Sequence, residues 1–447
     1  MLHRLDLREY RGNLKDVLPR PILDDEGPLK SVRDILERVK NEGDSAILDL
    51  TSKFDGVKLR SLRVPESEIN GSLDEISNEL RYALEEARES IVAFHEHSFI
   101  TPGLYERKGI KVEHLSRPVS RAGLYAPGGR AKYPSSVLMC SLPARVAGVP
   151  SLVLCVPPDK DGRVSAPTLA AAAIAGIDEV YAIGGAQAIG AMAYGTESIE
   201  PVDVIVGPGN RYVSIAKRMV AGTVGVPSAF QGPSEVVVVA DASVPSEWAA
   251  IDVIVQAEHG PDGLAWLITW QPEVADAVDS AIEMLVESAP RKNEIVATLN
   301  SGGYCVLVAS KQEAMKVANE VAPEHLELLC EDAELMVGMV DSAGAVFVGN
   351  LACAAVGDYL AGPNHVLPTF RTAKFASALS VNDFLRHSHA VSISQEAINR
   401  VAPLIDEIAL AEGLHAHSQA VKMRVSEVKE LDPKSSSNPS KFKLRRG

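Results

Sequence analysis

The chain has 447 residues, of which 46% are hydrophobic and 23% are charged, and its formal net charge is -15. The length is enough for two or three domains, and the composition excludes a fibrous or a disordered chain. Because the acidic surplus repels phosphate groups, nucleic acid and anionic membranes are excluded as general partners, and small molecules are the expected ones.

The first 24 residues are predicted to form a short N-terminal arm. The opening stretch "MLHRLDLREYRGNLKD" mixes acids and bases and has no apolar core of a secretory signal. No apolar run approaches the ~20 residues that a membrane-spanning helix needs. The five cysteines form no C-x-x-C pair, so we expect reduced core residues in a cytoplasmic protein.

Three kinds of sequence pattern follow one another along the chain. Up to about residue 120 the pattern is mainly helical, as in "NELRYALEEARESIVAFHEHS", which has apolar residues at helical spacing. Short β-branched runs such as "SLVLCVP", "DEVYAI" and "VDVIVG" then alternate with Ala-rich helical stretches, which is typical of a buried parallel sheet. A second α/β region begins at "EVVVVAD", so two sheet-based lobes are predicted, with ligands at the carboxyl ends of their strands.

The stretch "VIVQAEHGPDG" is predicted to end a helix whose buried stripe contains Trp248, Ile251 and Val255. His259 falls at the end of that stripe. Gln256 lies three residues before His259, and side chains at this spacing can converge on one atom. A metal site is one interpretation, and a histidine that caps the helix end is the other.

Two further segments combine carboxylates and imidazoles. "VGDYLAGPNHVLPT" contains Asp358 and His365 around a Gly-Pro-Asn turn, and "LAEGLHAHSQAVKMR" contains Glu412 and His417. Nitrogen and oxygen donors of this kind suit a divalent ion, with zinc the usual occupant. Ordinary surface histidines are the alternative.

The stretch "VGPGNRYVS" follows the strand-like run "VDVIV" and leads into a helix. Backbone amides at such a helix start can hold a phosphate. The pattern is not G-x-G-x-x-G, and Pro208 removes one donor, so close backbone packing at the strand end remains an alternative.

Taken together, these stretches resemble the histidinol dehydrogenases. The shared pieces occur in order from about residue 120 to 420: "GLYAPGGRAKYPSSVLM", "GGAQAIGAMAYGT", "GPGNRYV", "QGPSEV", "QAEHGPD", "APEHLEL", "GPNHVLPT" and "AEGLHAH". The resemblance implies a zinc enzyme that oxidises L-histidinol to L-histidine through L-histidinaldehyde. It also implies the reduction of two NAD+, as the last steps of histidine biosynthesis.

The resemblance further implies a role for each matching residue. Zinc would be bound by Gln256, His259, Asp358 and the partner subunit's His417 in a homodimer. Catalysis would use Glu324 and His325. The remaining positions would contact the substrate (Ser234, His365 and Glu412) or the dinucleotide (Tyr125, Gln187 and Asn210).

The implied α/β fold has two incomplete Rossmann-like, doubly wound lobes and a helical C-terminal domain that exchanges in a dimer. The predicted divisions are an arm over 1–24, a zinc and substrate lobe over 25–120 and 235–380, an NAD lobe over 121–234, a dimerisation domain over 381–432 and a disordered tail over 433–447.

The adjacent residues Glu324 and His325 follow Pro323, which suits the first position of a helix. We expect a helix to begin here, so that its dipole keeps Glu324 ionised and His325 neutral. His325 would then take the substrate's hydroxyl proton, and Glu324 would activate a water molecule for the aldehyde.

Other functions use the same residues. A related zinc and NAD dehydrogenase would act on another small alcohol. A zinc hydrolase would use the same ligands with a metal-bound water and would reduce no NAD+. A non-catalytic binding protein would need neither Glu324 nor His325.

Overall fold

The computed structural model describes residues 1–19, 26–99, 103–128, 132–227, 234–260 and 263–427. The described strands are β1 (His3–Asp6), β2 (Leu104–Arg107), β3 (Ile110–Pro118), β4 (Arg121–Tyr125), β5 (Ser151–Val156), β6 (Val180–Ala182), β7 (Val204–Val206), β8 (Glu235–Ala240), β9 (Leu264–Thr269), β10 (Gly303–Leu307), β11 (His325–Leu329), β12 (Ala345–Val348) and β13 (Leu385–Ile393).

The described α-helices are α1 (Leu14–Val17), α2 (Glu26–Glu42), α3 (Asp44–Phe54), α4 (Glu66–Glu75), α5 (Asn78–Ser98), α6 (Pro134–Ala147), α7 (Ala166–Ile174), α8 (Gly185–Tyr194), α9 (Arg211–Val220), α10 (Ser246–Ala257), α11 (Pro272–Ser288), α12 (Lys292–Gly302), α13 (Lys311–Val321), α14 (Ala333–Met336), α15 (Ala354–Tyr359), α16 (Gln395–Ala411) and α17 (His415–Glu427). Among the described residues, none of these helices is long and apolar enough to cross a membrane.

The chain divides into two compact units. The first contains Met1–Phe99 and Pro118–Leu385, and the second contains the described residues within 100–117 and 386–447. The second unit has a three-stranded sheet of order β13-β3-β2, in which β2 and β3 are antiparallel. Helices α16 and α17 of this unit pack against each other.

A four-stranded parallel sheet of the first unit has the order β6-β5-β4-β7. Numbered along the chain, this is 3-2-1-4, which puts the switch point of a doubly wound sheet between β4 and β7. Helices α4 to α7 cover one face, and α2, α3, α8 and α9 cover the other. Gly190 of α8 permits close packing, since an added Cβ would lie 3.0 Å from Leu36 of α2. The strands are therefore buried on both faces.

A six-stranded parallel sheet has the order β1-β10-β9-β8-β11-β12. Strand β1 of the N-terminal arm forms one edge, and β8 and β11 lie side by side near the centre. Helices α10 to α12 cover the face formed by Val236 and Val238, and α13 and α14 cover the face formed by Val237 and Val239. This alternation fixes which side chains of β8 and β11 point toward α10.

The structure confirms the predicted mixed α/β fold with parallel sheets and a helical C-terminal region. The packing differs from the predicted grouping of residues 25–120 with 235–380, because α2 to α5 bury their apolar faces against the four-stranded sheet. The predicted tail over 433–447 lies outside the described residues. The dimerisation role of 381–432 stays a prediction.

Candidate active site

Glu324 and His325 lie at the amino end of β11, next to the amino end of β8 in the six-stranded sheet. His325 is the first residue of β11 and pairs with Val236 of β8. The predicted helix at Pro323 is wrong. Helix α13 ends at Val321, the capping residue Ala322 has a left-handed φ of 51°, and Pro323 follows it. The run "HLELL" is a strand because β8 and β12 pair with it on both sides.

The main chain of Glu235 holds both members of this pair. Its N–H donates to Oε2 of Glu324 over 2.9 Å, and its carbonyl oxygen lies 3.2 Å from Nδ1 of His325. A carbonyl oxygen can only accept, so Nδ1 carries the hydrogen of this bond. The other ring nitrogen, Nε2, faces Oδ1 of Asp358 at 3.2 Å. The main chain of one residue therefore orients both members of the predicted catalytic pair.

Burial and neighbouring charges set the proton affinity of the pair. Burial raises the pKa of Glu324 to about 7. Burial alone would lower the pKa of His325, but the carboxylates of Glu324 and Asp358 raise it to about 9. The predicted explanation by a helix dipole is wrong, because the two residues lie at the start of a strand. The neighbouring carboxylates therefore favour the protonated form of the His325 ring.

Asp358 lies on α15 and contacts two imidazoles, those of His325 and His365. Its carbonyl oxygen accepts a bond from Nδ1 of His365 over 2.8 Å, and Nε2 of His365 lies 3.3 Å from Oγ of Ser136. Burial raises the pKa of Asp358, but the contact with His325 and the nearby rings of His365 and His259 bring it below its usual value. Asp358 is therefore an ionised carboxylate surrounded by histidines.

Gln256 and His259 lie at the end of α10. Gln256 is 1% exposed, and within the described residues neither atom of its side-chain amide has a hydrogen-bond partner. Nδ1 of His259 lies 2.9 Å from Oγ of Ser234, so its Nε2 is available to a ligand. The predicted buried stripe is wrong, because Trp248 is 45% exposed and the buried face of α10 is the one that carries Gln256. His259, predicted at the end of that stripe, is exposed.

These donors fit a divalent ion, although they do not form a complete set. Within the described ranges, no group of three or more His, Cys, Asp and Glu side chains is arranged to hold a metal. His259 and Asp358 are two donors of that kind, and the amide oxygen of Gln256 is a third donor. Leaving a buried amide without a partner costs about 1–3 kcal/mol for each group. An ion bound by Gln256 would remove part of that cost.

A second group of predicted residues lies at the carboxyl edge of the four-stranded sheet. Tyr125 ends β4, and its Oη accepts a bond from the N–H of Gly185 over 3.1 Å. Gln187 is buried in the first turn of α8. Asn210 caps α9 by accepting a bond from the N–H of Val213 over 3.1 Å.

Gly207 lies between Tyr125 and Asn210 at the switch point of this sheet. Its φ is 117°, and an added Cβ would lie 2.0 Å from the carbonyl oxygen of Tyr125, so only glycine fits. Tyr125 ends one strand at the switch point, and the loop from Gly207 to Asn210 follows the other. A crevice at this place is where doubly wound sheets bind nucleotides. The predicted dinucleotide residues thus follow the rule that open parallel sheets bind ligands at the carboxyl ends of their strands. Glu324 and His325 do not follow it, because they lie at the amino edge of the six-stranded sheet.

A family model described as histidinol dehydrogenase matches residues 18–425. The histidinol dehydrogenase of Chlorobaculum tepidum is 45% identical over 413 residues, which are 92% of this chain and 96% of that relative. The chain belongs to the histidinol dehydrogenase family. The relative from Bacillus cereus is 44% identical over 428 residues, 95% of this chain and 99% of its own. The crystal structure of histidinol dehydrogenase from Elizabethkingia anophelis matches with a TM-score of 0.91 at 34% identity, covering 96% of this chain and 99% of that one.

Membership of the histidinol dehydrogenase family confirms the resemblance and the predicted oxidoreductase of histidine biosynthesis. The individual site residues stay predictions. The structure places Asp358 in contact with His325, His365 in contact with Asp358, and Ser234 in contact with His259. Gln256 lies on the buried face of α10, and the three predicted dinucleotide residues lie at the carboxyl edge of the other sheet. Glu412 and His417 lie in the second unit, where Glu412 ends α16 and both side chains are exposed.

Sequence reasoning missed three buried carboxyl groups near the catalytic pair of this histidinol dehydrogenase family member. Glu235 begins β8, Glu327 lies in the middle of β11, and Asp252 lies on the buried face of α10. A signal was present in the runs "SEVVVVA" and "HLELLC", where a charged residue interrupts an otherwise apolar strand. Charged residues are almost never fully buried without a partner, so each such position indicates a functional contact.

Proposed function

We propose that this protein oxidises L-histidinol to L-histidine through L-histidinaldehyde, with two NAD+ reduced, in a zinc-dependent reaction. Family membership supports the reaction. The observation that carries the proposal for the site is the contact of His325 with Asp358, beside Glu324. Gln256 of α10 adds a buried amide that has no hydrogen-bond partner among the described residues. This arrangement combines two groups able to move protons with donors suited to a metal ion.

The residues that would hold zinc are Gln256, His259, Asp358 and the partner subunit's His417. A zinc ion there would supply a template for the imidazole and amine nitrogens of the substrate, and it would act less as a Lewis acid on the alcohol. Gln256 is a neutral and therefore weak ligand, which suits a ligand set that must admit substrate nitrogens. Ser234, His365 and Glu412 would contact the substrate.

His325 would take the hydroxyl proton at Nε2, because Nδ1 already donates to the carbonyl of Glu235. Nε2 accepts a proton only when it carries none, and the charge of a cation at Asp358 would lower the pKa of His325 accordingly. The same nitrogen would serve again in the second oxidation. General base catalysis of this kind contributes about 10²–10⁴-fold to the rate.

Glu324 would activate the water that adds to the aldehyde. Its pKa of about 7 suits this role, because a carboxyl group with that value exchanges protons readily at neutral pH. The N–H of Glu235 holds Oε2, which leaves Oε1 to face water or substrate. The two residues would thus divide the work between alcohol oxidation and aldehyde hydration.

Tyr125, Gln187 and Asn210 would hold the dinucleotide, and NAD+ would accept the hydride in each oxidation. Gly207 and Gly209 would bring the backbone close to the pyrophosphate at the start of α9. The Rossmann-like lobe of the four-stranded sheet would therefore bind NAD+, and the lobe of the six-stranded sheet would bind zinc and the substrate.

A homodimer with exchanged C-terminal domains is part of the proposal. The chain exposes apolar side chains on two neighbouring helices: Trp248 and Ile251 on α10, and Val356 and Tyr359 on α15. Exposed apolar side chains on neighbouring helices are typical of a protein interface. Small molecules would be the other partners, and a cytoplasmic location would fit a biosynthetic enzyme.

The test is a spectrophotometric NADH assay with L-histidinol and NAD+, using the protein as purified, after chelation and after zinc is restored. We expect two NADH for each L-histidinol, loss of activity on chelation and recovery with zinc. L-alaninol is the matched control, because it has the amine and alcohol but no imidazole. NADH formation from L-alaninol at the same rate would favour a related alcohol dehydrogenase, and no NADH with either substrate would contradict the proposal.

A further inference from the structure

Glu327 connects the catalytic strand to the helix that carries Asp358. It lies two residues after His325 on β11 and is fully buried. Its Oε1 accepts a bond from the N–H of Ala354 over 2.8 Å, at the first residue of α15. Because the first N–H groups of a helix have no partner within it, this bond fixes where α15 begins. The position of Asp358, four residues later, depends on that start.

Asp252 connects Glu327 to the helix that carries Gln256. Asp252 and Gln256 are four residues apart on α10, so they lie on the same buried face. The carboxyl group of Asp252 lies against that of Glu327, and each shifts the proton affinity of the other. One carboxyl pair therefore bridges α10, β11 and α15.

The buried carboxyl groups of Asp252 and Glu327 need one proton between them to form a hydrogen bond. Oε2 of Glu327 is buried and has no donor among the described residues while both carboxyl groups are ionised. A single proton on either group makes it a donor to the other and leaves one negative charge in place of two. In agreement, burial raises the pKa of Glu327 to about 9, with a further rise from Asp252.

We propose that Asp252 and Glu327 share a proton and act as positioning residues that hold Gln256, His325 and Asp358 in the geometry for zinc. The proposal rests on the proposed function for the zinc site itself. Neither residue belongs to the proposed set of zinc ligands. Residues that orient metal ligands from behind typically change metal affinity about 10–100-fold when they are removed.

The experiment titrates Zn²⁺ into the chelated full-length protein in the presence of a chromophoric competitor. Glu327→Ala removes the acceptor for the N–H of Ala354, and we expect zinc affinity to fall about 10–100-fold. Glu327→Gln keeps that acceptor, and its amide N–H can donate to ionised Asp252. We expect the zinc affinity of Glu327→Gln to stay within about threefold of that of the parent protein, because both contacts are retained.

Two controls separate positioning from general destabilisation. Leu329→Ala shortens a buried side chain on the same face of β11, two residues farther from His325. It should lower the unfolding temperature without lowering zinc affinity. Glu247→Gln changes an exposed carboxylate on α10 and should change neither quantity.

Equal zinc affinity for Glu327→Ala and the parent protein would overturn the inference, and so would a loss in Glu327→Gln as large as in Glu327→Ala. Should Glu327→Ala fail to fold, Glu327→Asp tests the same contact, because the shorter side chain withdraws Oε1 from Ala354. Glu327→Asp should lower zinc affinity, whereas Asp252→Asn should keep the zinc affinity of the parent protein. A loss in Asp252→Asn but not in Glu327→Asp would overturn the inference. Failure of the parent protein itself to bind zinc would instead contradict the proposed function.

Discussion

Oδ1 of Asp358 lies 3.2 Å from Nε2 of His325, so a residue predicted to bind the metal is in contact with the residue predicted to move the proton. Both side chains are largely buried, at 17% and 3% exposure. Water screens such a contact poorly, and a change in the charge of one group is felt strongly by the other. In the proposed mechanism, metal binding and proton transfer are therefore coupled through this hydrogen bond.

Replacing Asp358 by Asn tests the ligand assignment directly. The substitution keeps the shape of the side chain but removes the negative charge, so we expect zinc affinity to fall by at least about 100-fold, more than for residues that only orient ligands. Metal content after dialysis against a competing chelator measures the effect. Glu258→Gln is the matched control, because Glu258 is a nearby exposed carboxylate outside the proposed ligand set. Full zinc retention in Asp358→Asn would exclude Asp358 as a ligand.

Replacing Glu324 by Gln should impair the second half of the reaction more than the first. The amide oxygen still accepts the hydrogen bond from the N–H of Glu235, so the local backbone structure is preserved. The amide cannot, however, take a proton from water. We expect aldehyde oxidation to fall about 10²–10⁴-fold and alcohol oxidation to fall less. Stopped-flow NADH traces with L-histidinol and with L-histidinaldehyde, supplied separately, distinguish the two halves. Equal losses in both would argue against the assigned role.

Asn210 caps α9 and is also predicted to bind NAD+, and different substitutions separate these two roles. Its side chain caps α9, so Asn210→Ala should lower the free energy of unfolding by about 0.5–2 kcal/mol. Asn210→Asp keeps a capping oxygen but places a negative charge beside the proposed pyrophosphate site. We therefore expect Asn210→Asp to keep stability and to weaken NAD+ binding, as measured by urea unfolding and by fluorescence titration. Unchanged NAD+ affinity in both variants would remove Asn210 from the dinucleotide site.

Local pattern predicted much of the fold. The runs at β5, β6 and β7 are continuous and β-branched, and Ala-rich helices follow each, so the sequence alone indicates buried parallel strands there. The pattern misled at His325. "APEHLELLC" has the proline and the apolar spacing of a helix start, but the residues form a strand because β8 and β12 lie on either side. Strand neighbours are a tertiary property that this stretch does not encode by itself.

The sequence predicted which residue types make up the candidate site better than it predicted how they are arranged. Gln256, His259 and Asp358 are recognised by motif, but the burial of Gln256 depends on which face of α10 meets the sheet. Trp248 is apolar and yet exposed, so hydrophobicity alone gave the wrong face. The contact between Asp252 and Glu327 joins distant segments through strand order and helix packing. No local pattern could have predicted it.

His95 should make the stability of the protein depend on pH in the acidic range. It lies on α5 and is 1% exposed, and within the described residues neither ring nitrogen has a hydrogen-bond partner. Burial lowers the pKa of His95 to about 4, whereas a histidine in an unfolded chain titrates near 6.5. Between these values the unfolded chain binds more protons than the folded one. Stability contributed by neutral His95 is therefore present above about pH 6.5 and is lost as the pH falls toward 4.

His95→Leu tests this dependence, because leucine fills a similar volume and has no proton to bind. We expect the parent protein to lose about 1–2 kcal/mol more than the variant in its free energy of unfolding between pH 7 and pH 5. Urea unfolding at the two pH values measures the difference, and the carboxylates that titrate in this range cancel in the comparison. His97→Leu, on the exposed side of the same helix, is the matched control and should keep the parent's pH dependence. If His95→Leu kept the parent's pH dependence as well, His95 would have a partner that retains its proton in the folded state.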